Sequence, residues 1–238
     1  MLIAAVSDLH GNLPEVPACD LLLIAGDVYA HGRRELERQR PWADGVLRPW
    51  LESVPAQNIV AIAGNRDFVA ERDPAFVRTL PWIYLEHEPV EVAGVRLFGS
   101  PWIPEHGNGV FMDTEAVHAT RFDDVPLDVD IVLAHTPPRA VCDRTLSGVD
   151  AGSVSFREYL GRAQPRLAIV GHIHEGHGSG VFGGTTVVNA AIVDRHFARA
   201  YGTTLITWDD NGLKITPASI DPGPVLDPPF ASLDLKSK

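Results

Sequence analysis

Asp8-Leu9-His10, Gly26-Asp27, Gly64-Asn65-Arg66-Asp67, His135-Thr136-Pro137-Pro138 and Gly171-His172-Ile173-His174 follow one another along the chain. The last of these runs on into Glu175-Gly176-His177-Gly178. Together they offer carboxylate, carboxamide and imidazole groups, the donor set that suits divalent Mn, Fe, Zn or Co better than Ca or Mg alone. Each motif opens where a strand-like apolar run has just ended. Loops at the carboxyl ends of buried strands converge on one sheet edge, so motifs far apart in sequence are expected in one place. Burying this many carboxylates and imidazoles without counter-charge is costly, and bound cations relieve that cost. The combination points to a dinuclear metal centre and to hydrolytic phosphorus chemistry. Gly-His-x-His is the most specific piece, because two imidazoles two residues apart in a turn can face one centre. Asp8, His10, Asp27, Asn65 or His135 taken singly is also compatible with a turn or loop role.

The elements that must position these groups are legible as apolar runs. Leu2–Val6, Leu21–Ala25, Ile59–Ala63, Ile131–Ala134 and Leu167–Val170 are apolar on both faces, as in strands of a sheet covered on both sides. Arg33–Arg40 and Trp42–Ser53 read as amphipathic helical stretches. Ser153–Ala163 reads as a helix with Ser153 as its N-cap. Three hairpins are expected: around Ala93-Gly94, around Gly183-Gly184, and across Asp209-Asp210-Asn211-Gly212. Alternating strands and helices followed by hairpins predict an α/β protein, with two mixed β-sheets packed face to face and helices outside. Residues 1–216 form the expected domain, and the Pro-rich segment 217–238 a C-terminal tail that wraps the surface or is partly loose.

The 238 residues are 45% hydrophobic, an ordinary globular composition, and carry a formal net charge of −11. Its Arg residues are scattered apart from Arg33-Arg34 and nearby Arg38 and Arg40; so acidic a chain is a poor non-specific nucleic-acid binder, and no specific nucleic-acid partner is expected. Cys19 and Cys142 have no metal-binding spacing and read as free thiols in a reducing compartment. Met1 leads directly into Leu2–Val6, too short for the apolar core of a signal peptide, and no apolar run reaches transmembrane length. The expectation is a cytoplasmic protein acting on a small phosphorylated substrate, with no membrane partner. Its oligomeric state is not legible.

The ordered motifs resemble those of the calcineurin-like metallophosphoesterase superfamily, over roughly the first four-fifths of the chain. Gly99-Ser100-Pro101-Trp102-Ile103-Pro104, His135-Thr136-Pro137-Pro138, Gly171–Gly176 and Val188-Asn189-Ala190 are most similar to its metallophosphoesterase-domain-containing branch. The resemblance implies a four-layer αββα fold and two divalent metals, with Mn favoured in vitro. It implies that Asp8, His10 and His174 bind one metal, that Asn65, His135 and His172 bind the other, and that Asp27 bridges them. A hydroxide between the metals would then attack phosphorus in line.

One position departs from that pattern. Where most of the superfamily has a His that contacts phosphate and protonates the leaving group, this chain has Arg66. A guanidinium is not a general acid at working pH, but it can hold a phosphoryl oxygen bidentately. Cleavage of diesters, including cyclic nucleotides, or of phosphoanhydrides is therefore expected over simple monoesters. The alternatives are a phosphomonoesterase whose acid is His31, His106 or His177, and a non-catalytic metal-bound interaction module. Gly-Asn-Arg-Asp followed by Phe68 is also similar to the corresponding block of UDP-2,3-diacylglucosamine hydrolases, but the chain lacks an apolar lid insertion for acyl chains. The expected catalytic residues are Arg66, Asp67 and His135. Asp67 is expected to hydrogen-bond a metal ligand or Arg66. The expected substrate contacts are Asn65, Arg66, His106 and Asn108, with Trp102 either at the cleft or in the core.

Overall fold

Period-two alternation in the buried strands builds this molecule, because each strand must satisfy two different apolar layers at once. The computed structural model describes residues 1–29 and 36–216. One sheet contains β1 (Leu2–Val6), β2 (Cys19–Ala25), β3 (Ala56–Ile62) and β4 (Ile83–Leu85), all parallel. The second sheet contains β5 (Glu88–Val92) and β6 (Val95–Ser100). After the short parallel pair β7 (Ile103–Pro104) and β8 (Met112–Asp113), it continues with β9 (Ile131–Ala134), β10 (Leu167–Val170), β11 (Gly178–Phe182) and β12 (Thr185–Asn189). The chain then returns to the first sheet as β13 (Thr204–Asp209) and β14 (Gly212–Thr216). The strand orders are β14-β13-β1-β2-β3-β4 and β11-β12-β10-β9-β6-β5. Their centres are parallel and their antiparallel members lie toward the edges.

Side chains sort into three apolar layers. Ile3, Ala5, Leu21, Leu23, Val60 and Ile62 meet Leu97, Ile131, Leu133, Leu167 and Ile169 between the sheets. Ala4, Val6, Leu22, Ile24 and Ala61 face the other way, against the helical residues Trp42, Leu47, Leu51, Val69 and Val77. Phe98, Val132, Ala134, Ala168 and Val170 pack against Phe122, Phe156, Tyr159 and Leu160. The outcome is the expected sandwich flanked by helices.

The first outer layer holds α1 (Leu36–Trp42), a π-helical stretch over Ala43–Leu47, α2 (Arg48–Ser53), and the short α3 (Phe68–Arg72) and α4 (Pro74–Val77). The two helical stretches read from the sequence thus join through the π segment, which lies between Pro41 and Pro49, two residues that remove backbone donors. Residues 30–35, including part of the Arg33–Arg40 stretch and His31, lie outside the described residues, as does the tail 217–238. The second outer layer holds α5 (Glu115–Asp123) and α6 (Val154–Ala163). Ser153 caps α6 as expected, accepting from the N–H of Phe156. Helix α5 was not legible: its weak apolar stripe is carried by the buried His118 and Phe122. A buried polar knot joins the two helices. Glu115 Oε1 accepts from Ser155 N at 2.7 Å, and His118 Nδ1 lies 3.0 Å from Ser153 Oγ. No helix among the described residues is long and apolar enough to cross a membrane.

The three hairpins are present. Ala93 and Gly94 both have positive φ, 52° and 76°, the conformation that a two-residue turn matching strand twist requires. At the carboxyl ends of the parallel strands the two sheets are stitched together. Ser7 N donates to Ala190 O at 2.7 Å and Ile192 N to Ser7 O at 2.9 Å, while Gly171 N donates to His135 O at 3.1 Å between neighbouring loops of the second sheet. This edge carries all of the motifs.

Candidate metal centre

Asp8, His10, Asp27 and His172 all have positive φ, from 44° to 69°. Non-glycine residues rarely adopt this conformation, and its cost is borne where surrounding structure dictates it. Here the turn after each strand bends sharply so that the side chain points back over the sheet edge. Asp8 N donates to Gly26 O at 2.9 Å and His10 N to Asp27 O at 2.9 Å, so the β1 and β2 loops run side by side. Close packing of these loops requires glycine between them. A Cβ at Gly171 would overlap Ser7 Oγ and Asp8 Oδ2, and one at Gly64 would lie 2.6 Å from His135 Cε1.

The donor atoms converge. His174 Nε2 lies 3.4 Å from Asp8 Oδ1 and 3.4 Å from His10 Nε2. His10 Nε2 lies 3.6 Å from Asp27 Oδ2, and His135 Nε2 lies 3.4 Å from Asp27 Oδ1. His135 Nε2 is also 3.2 Å from Asn65 Oδ1. Ligands about 2.1 Å from one tetrahedral ion sit about 3.4 Å apart, so these separations fit shared ions. Two groups can each hold a metal: Asp8, His10 and His174, and Asp8, Asp27 and His135. His172 joins them through its backbone, whose N–H donates to both Asp8 oxygens at 3.1 and 2.9 Å. Its ring centroid lies 5.2 Å from that of His135.

Backbone carbonyls set the ring orientations. His135 Nδ1 donates to Ala25 O at 2.7 Å and His174 Nδ1 to Asp194 O at 3.0 Å, which leaves each Nε2 facing the centre. Asn189 fastens the Gly-His-Ile-His turn: its Nδ2 donates to Ile173 O at 2.8 Å and to Cys142 O at 3.0 Å.

The electrostatics describe a site that draws positive charge. Burial pushes the Asp8 carboxyl up, but the charges of His174 and His135 hold it below the ordinary range. Burial likewise opposes, and His135 and His10 override, at Asp27, which is held well below that range. Conversely, burial disfavours charge on His135 and His174, yet Asp27 and Asp8 raise them to about 9 each. His172 goes the other way, to about 3, because burial and the neighbouring His135 both disfavour its protonation. Burial and the Asp27 charge push Asp67 up, to about 8.

Several expected contacts are placed differently. Asp67 bonds neither a ligand side chain nor the Arg66 guanidinium. Its Oδ1 accepts from Val28 N at 2.9 Å and Tyr29 N at 3.2 Å, and its Oδ2 from Gly64 N at 2.8 Å. It is buried beneath the loops, so only backbone donors reach it. Arg66 donates its backbone N–H to Asp27 Oδ1 at 2.7 Å, while its Nη1 donates to Asn108 O at 2.6 Å. Asn108 is exposed and supplies that carbonyl. His106 is exposed, with its ring edge-on to His172 at 5.7 Å. It lines a cleft of about 340 Å³ together with Glu105, His172, His174, Glu175 and Arg195. Trp102 does not line that cleft: half-buried, it packs against the core, edge-on to Phe111 and under Arg121. His177 is stacked on Tyr201 at 3.7 Å and donates from Nδ1 to Ala191 O.

Sequence reasoning missed the carbonyls of Ala25 and Asp194, because any residue type can supply a carbonyl. It also missed Arg195, Phe197 and Gln39. Gln39 donates to Arg66 O at 2.8 Å and accepts from Val69 N at 2.8 Å. No motif flags any of the three.

Comparison with known proteins bears on the family and the fold. A probable rhamnogalacturonate lyase C of Emericella nidulans is 33% identical over 75% of this chain, which covers 18% of that protein. Metallophosphoesterase domain-containing protein 1 of Homo sapiens is 29% identical over 79% of this chain and 64% of its own length. The chain thus spans less than two thirds of either relative. The crystal structure of TT1561 of Thermus thermophilus shares the fold with a TM-score of 0.56 at 15% identity, over 91% of this chain and 98% of that one. Residues 1–176 match the calcineurin-like phosphoesterase family model. The chain therefore belongs to the calcineurin-like phosphoesterase family.

Proposed function

We propose that the chain is a dinuclear metal-dependent phosphoesterase that hydrolyses phosphodiester or phosphoanhydride bonds. The observation that carries the reading is the division of Asp27. Its Oδ2 lies 3.6 Å from His10 and its Oδ1 lies 3.4 Å from His135, so one carboxylate faces an imidazole from each of the two donor clusters. In this reading Asp8, His10 and His174 would hold one ion, Asn65, His135 and His172 would hold the other, and Asp27 would serve both. When bound, the metal pair supplies a nucleophile at neutral pH and neutralises phosphoryl charge. Mn is the ion of choice for assay, and a reducing, cytoplasmic setting fits the free Cys19 and Cys142.

The protein's own groups do the rest. His135 and His174 are oriented by carbonyls and present Nε2 without rotamer search. Arg66 braces the Asn108 carbonyl, and an arginine does not protonate an alkoxide. A leaving group that departs without a proton is therefore favoured, which selects activated or diester substrates over alkyl monoesters.

The test is turnover of bis-nitrophenyl phosphate against nitrophenyl phosphate by Mn-loaded protein, with Asp27→Ala as control. A clear preference for the diester, lost in Asp27→Ala, is expected. Preference for the monoester would overturn the diesterase assignment and direct attention to His106. Inactivity on both, with Mn bound, would favour an anhydride substrate or an interaction module.

A further inference from the structure

The cation that the sequence offers as a phosphate clamp is engaged elsewhere. Arg66 Nη1 is held by the Asn108 carbonyl, and Arg66 does not line the cleft beside His172 and His174. Among the described residues that do line it, Arg195 is the one lysine or arginine. Glu105 and Glu175 share the same walls. Without Arg195, the space beyond the metal ligands would repel a phosphoryl group.

The loop around Arg195 is built to hold a side chain in place. Asp194 O accepts from His174 Nδ1, and Asp194 Oδ1 accepts from His196 N at 2.8 Å and Ala198 N at 3.1 Å. Phe197, with φ at 62°, sets its ring edge-on to His10 at 4.8 Å and to His174 at 5.5 Å. The residues on both sides of Arg195 are thus tied to imidazoles of the metal centre. Arg195 Nε donates to His196 Nε2 at 2.9 Å, which orients the guanidinium plane and leaves its terminal nitrogens for other acceptors. A planar fork of this kind matches phosphoryl oxygens bidentately.

We propose that Arg195 is a substrate-binding residue that takes the non-bridging phosphoryl oxygens turned away from the metal pair, in place of Arg66. The inference rests on the phosphoesterase reading above. Calorimetry tests it in two steps, first with MnCl2 and then with inorganic phosphate titrated into the Mn-loaded protein. Arg195→Ala is expected to keep the wild-type Mn isotherm and to weaken phosphate binding by about 10- to 100-fold, the range for a lost hydrogen bond between charged groups. It is also expected to raise KM for bis-nitrophenyl phosphate more than it lowers kcat. Arg195→Lys should recover part of the phosphate affinity, and Arg66→Ala should cost less than Arg195→Ala. Phosphate binding within twofold of wild type in Arg195→Ala would overturn the proposal. Wild-type protein that takes up Mn but no phosphate would overturn it while leaving the metal reading intact. Wild-type protein that takes up no Mn would overturn the proposed function itself.

Discussion

Asp67 Oδ1 accepts the backbone N–H of Val28 at 2.9 Å, so the loop after β3 holds the loop after β2. Its other oxygen accepts from Gly64 in its own loop. One buried carboxylate therefore sets the spacing between Asp27 and Asn65. Asp67→Ala leaves three buried N–H groups without their acceptor and is expected to lower stability by about 3 kcal/mol. Urea denaturation of the metal-free protein measures this, and a loss below about 1 kcal/mol would show that other groups set the spacing.

Metal uptake is expected to release protons. In the metal-free protein His135 and His174 are raised to about 9, so both are protonated at pH 7, whereas metal ligation needs neutral imidazole. Mn binding at pH 7 should therefore release about two protons, and affinity should climb with pH until it levels off above about pH 9. The same shifts stabilise the metal-free fold fully below about pH 6.5, the unfolded histidine value. That contribution disappears as pH rises through about 9. Titrations in buffers of different ionisation enthalpy count the protons; a count near zero would contradict the charge balance described for Asp8 and Asp27.

Gly171→Ala is expected to be severe for its size. The added methyl would overlap Ser7 Oγ and Asp8 Oδ2, both in fully buried residues. Overpacking at such a site costs about 1–3 kcal/mol, and here it also displaces Asp8. A lowered melting temperature should accompany weaker Mn binding; a variant with unchanged Mn affinity would show that the turn can absorb the methyl.

A second pH response belongs to the α5–α6 contact, away from the metal centre. Burial lowers the pKa of His118, whose ring lies between Ser153, Ser155 and the Trp102 carbonyl. Burial opposes but the Ser155 hydrogen bonds lower Glu115. Both contributions are present above the unfolded values, about 6.5 and 4.3, and are lost as pH falls through the lower folded values. Wild-type stability should decline from pH 7 toward pH 4, and His118→Gln should flatten the upper part of that decline. Equal slopes in both proteins would assign the acid sensitivity to the other buried histidines, His172 above all.

Periodicity and motif order along the chain determined the layered fold, the five buried parallel strands, the three hairpins and the family. Short runs apolar on both faces and closed by turn residues fit strands buried on both sides, and Ala93-Gly94 lies between two alternating runs. Motif order and the family resemblance it carries also singled out Asp8, His10, Asp27, Asn65, His135, His172 and His174 as expected ligands. Tertiary structure alone decided what each polar group does once there. Asp67 binds three amides, Arg66 is held by the Asn108 carbonyl, and Arg195 stands in the cleft. Helix α5 escaped notice for the same reason: its buried face is Phe122 and a histidine whose ring meets Ser155 of α6 and the Trp102 carbonyl. Side-chain chemistry is local to a residue, whereas a hydrogen-bond partner across the fold, above all a backbone carbonyl, leaves no trace in residue type.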